Sequence, residues 1–264
     1  MFEGQVLPRL RARHRPGGAP FLSTTVLRLC GIAESAADML LAPLTRRPPG
    51  WAEYTILASL GLVDLHITVR ACGPRQARRR LKGLRSKALR LVGRFCFGHD
   101  SDTLESVLGA RLQRLGWRLA VAESCTGGLL GERITSVPGS SRHFLGSVVA
   151  YADALKSGLL GIPEALLREH GAVSAECAQA MARAVRRLTG AEASLAVTGI
   201  AGPGGGARSK PVGLVYIALS LPGSREPLVR RFLFPGSREQ VRERAAAQAS
   251  HWLLSIIDSR PLKI

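Results

Sequence analysis

An apolar run, Leu119-Ala120-Val121, passes without a break into Ala122-Glu123-Ser124-Cys125-Thr126-Gly127-Gly128, and this transition constrains the fold more than any other stretch. It predicts a buried strand ending in a turn that opens a helix. Such a turn presents a side-chain nucleophile beside unpaired backbone N–H groups, the pairing that acyl chemistry needs. Ser124 and Cys125 are adjacent, so one turn presents only one of them well. A thiolate is intrinsically the better nucleophile. A nucleophilic cysteine usually works with a histidine, however, and His143, His170 and His251 fall in plain helical or loop contexts. For a serine, Lys156 is available about one helical turn beyond a strand end at Tyr151. A lysine serves as a base only where burial or a positive neighbour leaves a neutral fraction near pH 7. Read on their own, Ser124 is equally a helix cap and Lys156 an ordinary surface lysine.

Around this motif the pattern alternates between helices and strands. A helix over 104–115 is capped by Ser101 or Asp102, and the strand 117–122 leads into a helix over 128–134. A strand over 146–151 follows, then short helices over 154–160 and 163–169 and a longer one over 174–188. The strand 195–198 runs into the glycine-rich stretch 199–206. Strands over 213–220 and 229–234 bracket the turn Pro222-Gly223-Ser224, and Ser237-Arg238-Glu239-Gln240 has capping-box spacing for a terminal helix. This succession predicts a three-layer α/β/α domain with a mixed sheet over 98–264. Upstream, a Pro/Gly/Arg-rich lead occupies 1–20. Residues 21–97 read as a small α+β domain: partly helical spacing over 25–44, strands over 54–58 and 63–69 joined near Gly61, and a basic helix. Residues 97–100 mark the junction.

The formal charge of +18 invites a nucleic-acid reading, so its distribution matters. Residues 1–100 carry 17 basic against 6 acidic side chains, with nine basic and no acidic residues over 71–94. Leu81, Leu84, Leu89 and Leu91 fit a helix over 74–94 with one buried side, leaving a basic face that is either merely solvated or meets a polyanion. Residues 1–100 contain no Gly-x-x-Gly loop of the kind that clamps RNA. Five cysteines without Cys-x-x-Cys spacing, no long apolar run and no metal-like cluster predict a reduced, cytoplasmic protein with no membrane span, cofactor or metal.

The loop 202–206 lacks Walker A spacing, because Lys210 is followed by Pro211, and it is not a dinucleotide fingerprint. It reads either as a flexible turn or as a backbone nest for an anion, with Lys210 and Arg238 nearby.

Six strings occur in order: Ala122-Glu-Ser-Cys-Thr-Gly-Gly128, Ser136-Val-Pro-Gly-Ser-Ser141, Val149-Ala-Tyr151 with Lys156 five residues later, Gly171-Ala-Val-Ser174, Thr198-Gly-Ile-Ala-Gly-Pro203 and Lys210-Pro-Val-Gly213. Together they resemble the C-terminal domain of the CinA family, the nicotinamide-nucleotide amidohydrolase, over residues 101–257. Residues 1–97, with Gly31-Ile32-Ala33-Glu34-Ser35, resemble the family's middle domain. The family's N-terminal molybdopterin-binding-like domain is expected to be absent from this sequence except for its last few residues, so a pyrophosphatase activity associated with it is not assigned here. The resemblance implies deamidation of nicotinamide mononucleotide to nicotinic acid mononucleotide and ammonia, without a cofactor. Carried over residue by residue, it makes Ser124 the nucleophile, Lys156 its base and Tyr151 an orienting or relaying group. N–H groups after Ser124, at Thr126, Gly127 and Gly128, would hold the oxyanion. Thr198 would bond the Lys156 ammonium or the substrate amide, and Gly199 would contact the substrate. The loop 202–206, with Gly202 and Gly205, and Lys210 and Arg238 are read as the phosphate side. Asp153 stands where the family commonly has Asn, Glu192 where it has Asp, and Ser237 where Asp or Asn often precedes the arginine. An anion at 153 favours protonated Lys156 and slows a base. Apolar residues on several helices suit a homodimer. The contrasting expectation is a non-catalytic protein that contacts nucleic acid or a partner through the basic helix 74–94.

Overall fold

The computed structural model describes residues 20–259, so the extended lead expected over 1–20 lies outside the described residues except for Pro20. Four strands, β1 (Phe21–Cys30), β2 (Ala52–Ser59), β3 (Leu62–Ala71) and β4 (Cys96–His99), form an antiparallel sheet in the order β2-β3-β1-β4. Helices α1 (Glu34–Thr45) and α2 (Pro74–Val92) cover one face of it.

Residues 25–30 correct the helical expectation. Thr25, Leu27 and Leu29 are buried in alternation with partly exposed Val26 and Arg28, a period of two that selects strand. The helix begins only after Gly31, whose φ of 77° lets the chain turn. On α2 the fully buried positions are Ala77, Leu84, Ala88 and Val92, whereas Leu81, Leu89 and Leu91 are half-buried. Much of the buried stripe of this basic helix is therefore alanine and valine rather than leucine. Strand β4 runs to His99, and Asp100 closes it with φ 54°. The Asp100 carboxylate accepts from the Val26 N–H and the Thr25 hydroxyl, both at 2.9 Å.

The larger unit has five strands, β5 (Leu119–Glu123), β6 (Phe144–Val149), β7 (Ala193–Gly199), β8 (Leu214–Ser220) and β9 (Leu228–Leu233), in the order β6-β5-β7-β8-β9. The first three are parallel and β8–β9 is an antiparallel hairpin, so the sheet is mixed as expected. Its helices are α3 (Leu104–Leu115), α4 (Leu129–Thr135), α5 (Asp153–Gly158), α6 (Glu164–His170), α7 (Ala175–Thr189) and α8 (Arg238–Ser259).

The two faces of this sheet differ in chemistry. Leu119, Val121, Leu195, Val197, Val215 and Ile217 point into a core shared with α3, α4 and α8. On the other face Ala120, Ala122, Ala196 and Ala218 meet Cys177, Met181 and Val185 of α7. Side chains this small let α7 lie close to the sheet, and the alternation of large and small residues is the period-two signature of strands. Arg133 joins three helices on the bulky side, with Glu105 of α3 at 2.7 Å and Glu243 of α8 at 3.2 Å.

Helix caps follow local chemistry. Thr103, not Ser101 or Asp102, caps α3 by accepting from the Ser106 N–H at 3.1 Å. Asp102 instead accepts from the His99 N–H. Ser174 caps α7, and Ser237 and Gln240 bond reciprocally at the start of α8, as their spacing predicts. Among the described residues no helix is long and apolar enough to cross a membrane.

Arg118 and Glu192 clamp the entry to β5 and β7 through two side-chain bonds of 2.9 and 3.1 Å. This pair, with the Arg118 backbone N–H, holds the Glu192 carboxyl down at about 2, below an ordinary value of 4.5. A depressed acid stabilises the fold above its unfolded value and stops doing so as pH falls through the folded one. Glu192→Gln should therefore lower stability at pH 7, and its deficit against wild type should shrink as pH falls from 4.5 toward 2, measured by denaturant melts. A deficit independent of pH would show that the carboxylate charge plays no part.

Candidate active site

Strand register assembles the site. Glu123 lies opposite Val149 on one side and Val197 on the other. Ser124 is therefore level with Ala150 and Thr198 at the carboxyl ends of three parallel strands, where α/β sheets gather functional groups. The Ser124 N–H donates to the Val197 carbonyl at 2.9 Å, which extends the ladder one residue past β5.

Ser124 is only 8% exposed, and its hydroxyl has no hydrogen-bond partner among the described residues. Cys125 points into the core shared with α3, α4 and α8, and burial pushes its thiol up to about 12. A thiol so far from ionising is a poor nucleophile at neutral pH. Intrinsic reactivity therefore does not favour Cys125 over Ser124 here.

One residue passed over in the sequence organises the turn. Glu123 is completely buried and its carboxylate accepts from the N–H groups of Gly128 (3.0 Å), Leu130 (3.0 Å) and Gly131 (2.8 Å) and from the Ser147 hydroxyl (2.7 Å). It thus satisfies the N-terminal donors of α4, the role that a cap residue ordinarily plays, from the strand before it. A hint lay in the sequence: an acidic residue at the end of an apolar run, just before a helix start.

This changes which N–H groups are free for an oxyanion. Gly128 is committed to Glu123, and the Gly127 N–H donates to the Ser124 carbonyl at 3.0 Å. The N–H groups of Cys125 and Thr126 have no oxygen partner among the described residues. Thr126 is fully buried, its hydroxyl is unpartnered, and its carbonyl is held by Arg242 at 2.8 and 3.2 Å. Gly127 and Gly128 serve through their positive φ values of 58° and 96°, which turn the chain into α4.

Lys156 is not a surface lysine: it is 1% exposed. Its Nζ donates to the Tyr151 carbonyl at 3.0 Å and to the Asp153 carboxylate at 3.1 Å. Tyr151 is 54% exposed, and its hydroxyl accepts from Arg238 Nη2 at 2.7 Å, while Arg238 Nη1 reaches the Gly202 carbonyl at 3.0 Å. Arg238 therefore joins the β6 end to the glycine-rich loop. Tyr151, Arg238 and Gly202 form one cluster.

Three expected groups make other contacts. Lys156 Nζ makes no bond to Thr198, whose hydroxyl donates to the Ala172 carbonyl at 2.7 Å and keeps its lone pairs for a substrate amide. Lys210 Nζ donates to the His170 carbonyl at 2.8 Å, which pins the loop to the end of α6. Gly199 pairs with Val215 in the sheet, and a Cβ there would come within 2.6 Å of the Leu214 carbonyl oxygen, so its role is close packing. Gly205 has φ 80°, and a Cβ there would meet only Ile200 Cγ2, at an ordinary contact distance of 3.8 Å. Among the described residues no cluster of His, Cys, Asp and Glu could hold a metal ion.

Gly131 tests the Glu123 cradle. A Cβ there would lie 2.8 Å from Ser147 Cβ and 3.3 Å from Glu123 Oε1. Gly to Ala inside a helix ordinarily stabilises by about 1 kcal/mol. Here Gly131→Ala should destabilise by about 1–3 kcal/mol in denaturant melts. Glu123→Gln, which offers one acceptor oxygen to a site using two, should cost about 1–3 kcal/mol. Stabilisation by the first, or neutrality of the second, would contradict this arrangement.

The comparisons with known proteins meet this geometry. Residues 101–257 match the CinA C-terminal domain, and residues 24–98 match the damage-inducible protein CinA KH domain. A CinA-like protein of Acidobacterium capsulatum is 42% identical over 94% of this chain and 59% of its own length. One from Gloeobacter violaceus is 42% identical over 96% of this chain and 58% of its own. The chain spans about three fifths of the length of the curated relatives it matches. A crystal structure of a CinA superfamily protein from Klebsiella pneumoniae aligns with a TM-score of 0.57 and 32% identity, over 60% of this chain and 97% of that one. A competence/damage-inducible protein from Agrobacterium tumefaciens aligns with a TM-score of 0.57 and 33% identity, over 59% and 94%. The motifs, the strand order and these likenesses agree: the chain belongs to the CinA family.

Proposed function

We propose that the chain is a serine-type amidohydrolase that converts nicotinamide mononucleotide and water into nicotinic acid mononucleotide and ammonia. The observation that carries this reading is a free serine hydroxyl at the end of β5, beside a strand end that leads to a lysine amine buried to 1% exposure. The substrate comes from the resemblance of the six motifs, not from the geometry.

In this mechanism Ser124 Oγ attacks the amide carbon as neutral Lys156 takes its proton. The developing oxyanion meets the N–H groups of Cys125 and Thr126. The C–N bond then breaks, and ammonia leaves with the proton that Lys156 returns. Water attacks the acyl-enzyme, giving its proton to Lys156, and the ester C–O bond breaks as Lys156 returns that proton to Ser124 Oγ, restoring the hydroxyl. Arg238, Tyr151 and the loop at Gly202–Gly205 take the phosphate side, with Arg238 supplying the charge. Lys210 acts at a distance by fixing that loop. The protein acts in the cytoplasm and as a homodimer; the dimer is supported by Leu145, Val149, Leu155 and Leu159, which stay 40–52% exposed along edge strand β6, helix α5 and the residue that caps it.

Ammonia release from nicotinamide mononucleotide by the purified chain should fall at least ~10³-fold in Ser124→Ala and in Lys156→Ala. It should persist in Cys125→Ala. Full activity in Ser124→Ala ends the proposal. Asp153 is 63% exposed and pairs with Lys156 at 3.1 Å, so Asp153→Asn, which removes this anion from the amine, should raise the rate at pH 7. A slower Asp153→Asn variant would instead make Asp153 a positioning residue.

A second reading is compatible with the first. Helix α2 exposes Arg75, Arg78, Arg79, Lys82, Lys87 and Arg90, none in an ion pair among the described residues, within a unit matching a KH domain. It would bind single-stranded nucleic acid with strong salt dependence. Undetectable binding at low salt removes this reading.

A further inference from the structure

We propose that the cleft between the two units is a second binding site, for a nucleoside phosphate, formed by the arginines Arg94, Arg230 and Arg244 and an aromatic wall of Phe232, Phe234 and Trp252. This inference stands apart from the amidase reading, because none of these residues belongs to the Ser124 site.

The cleft has a volume of about 1000 Å³, at the upper end of the ~300–1,000 Å³ common for small-molecule sites. Its walls follow from secondary-structure period. Arg244, Gln248, His251 and Ser255 recur every three or four residues along α8 and so line one side. Arg230, Phe232 and Phe234 alternate along β9 and its continuation and so face the same way. Arg94 and Phe95, at the end of α2, supply the opposite side together with the turn at Leu60 and Gly61.

Two glycines bring these walls together. A Cβ at Gly61 would lie 3.3 Å from Arg244 Cα, and one at Gly31 would lie 3.2 Å from the His251 ring. Both have positive φ, 91° and 77°.

The chemistry of the lining is specific. Three arginines face a single acidic residue, Glu34. Arg94 and Arg230 form no ion pair among the described residues. Each lies over a ring instead, Arg94 at 4.6 Å from Phe95 and Arg230 at 4.9 Å from Trp252. Cations held on aromatic faces without a carboxylate keep their N–H donors for an incoming anion. Arg244 already donates from Nη1 to the Pro235 carbonyl, and its remaining donors with those of Arg94 and Arg230 exceed what one carboxylate needs and match the several oxygens of a phosphate or diphosphate.

The aromatic wall accounts for the rest of the ligand. Phe232 and Phe234 are stacked within 6° of parallel at 5.6 Å, and Trp252 meets Phe232 edge-on at 6.5 Å. Flat heterocycles pack on such surfaces. Trp252 is 2% exposed and its indole N–H has no acceptor among the described residues, an unpaid donor at the margin of the cleft. A base with ring nitrogens and carbonyls carries acceptors, which a plain hydrocarbon lacks.

Calorimetric titration of the full chain with ADP tests this. Saturable binding is expected, with adenosine and inorganic phosphate each weaker than ADP. The double variant Arg94→Ala/Arg230→Ala should weaken ADP binding roughly tenfold or more, the scale of a lost charge-assisted hydrogen bond. Both side chains are exposed, so the variant keeps the core intact, and circular dichroism checks this. In wild type, ADP should also change tryptophan fluorescence through Trp252. Arg238→Ala should leave ADP affinity unchanged. Absence of saturable heat at millimolar ADP, equal affinity in the double variant, or loss of binding through Arg238→Ala alone overturns the proposal.

Discussion

The Glu123 carboxylate is the contact on which the larger unit depends. It is buried at the end of β5, and its four acceptor contacts tie that strand to the first turn of α4 and to Ser147 on β6. Hydrogen bonds to an ionised acceptor are about twice as strong as neutral ones, and a buried charge without partners would be prohibitive. The two requirements meet in one place: the helix needs acceptors for its first N–H groups, and the carboxylate needs donors. Everything between Glu123 and Gly128 is then a taut loop with its ends fixed. That is why the Ser124 side chain can stand without partners of its own.

The surroundings of Lys156 follow a related logic with the opposite sign. A lysine amine at 1% exposure needs compensation, and the Tyr151 carbonyl and Asp153 carboxylate supply it from the same chain segment. Tyr151 thus serves twice, its backbone toward the lysine and its phenol toward Arg238. A segment of six residues, from Tyr151 to Lys156, links the buried amine to the exposed guanidinium and, through it, to the glycine-rich loop. Asp153 falls within this segment and adds a negative charge to it.

The two units meet through small residues and one long helix. Gly31 and Gly61 allow the antiparallel sheet to approach α8, and the Cys30 thiol, pushed up to about 12 by burial, joins the core of the larger unit. The close approach and the cleft share one flank of the helix: Arg244 and His251, against which the two glycines sit, also line the cleft with its arginines and rings, so the same helix serves as a domain joint and as a wall of the proposed site.

Period and spacing in the sequence were enough for the alternating helices and strands, the mixed sheet with its terminal hairpin, the caps at Ser174 and Ser237, and the six motifs that mark the family. These depend on contacts within a few residues, or on which face of an element is apolar. Residues 25–30 were misread as helical because Leu27 and Leu29 fit part of a helical spacing, and only pairing with β3 and β4 selects the strand. The Thr198 hydroxyl bonded to Ala172, the anchored amine of Lys210 and the core-facing thiol of Cys125 could not be read locally either. Each is decided by a partner distant in sequence, brought within bonding distance when strands and helices pack: Ala172, His170, and the helices α3 and α8. The sequence by itself determined which residue types stand at the strand ends, and the tertiary structure alone decided which of their polar groups were already spent on the fold and which remained free for chemistry.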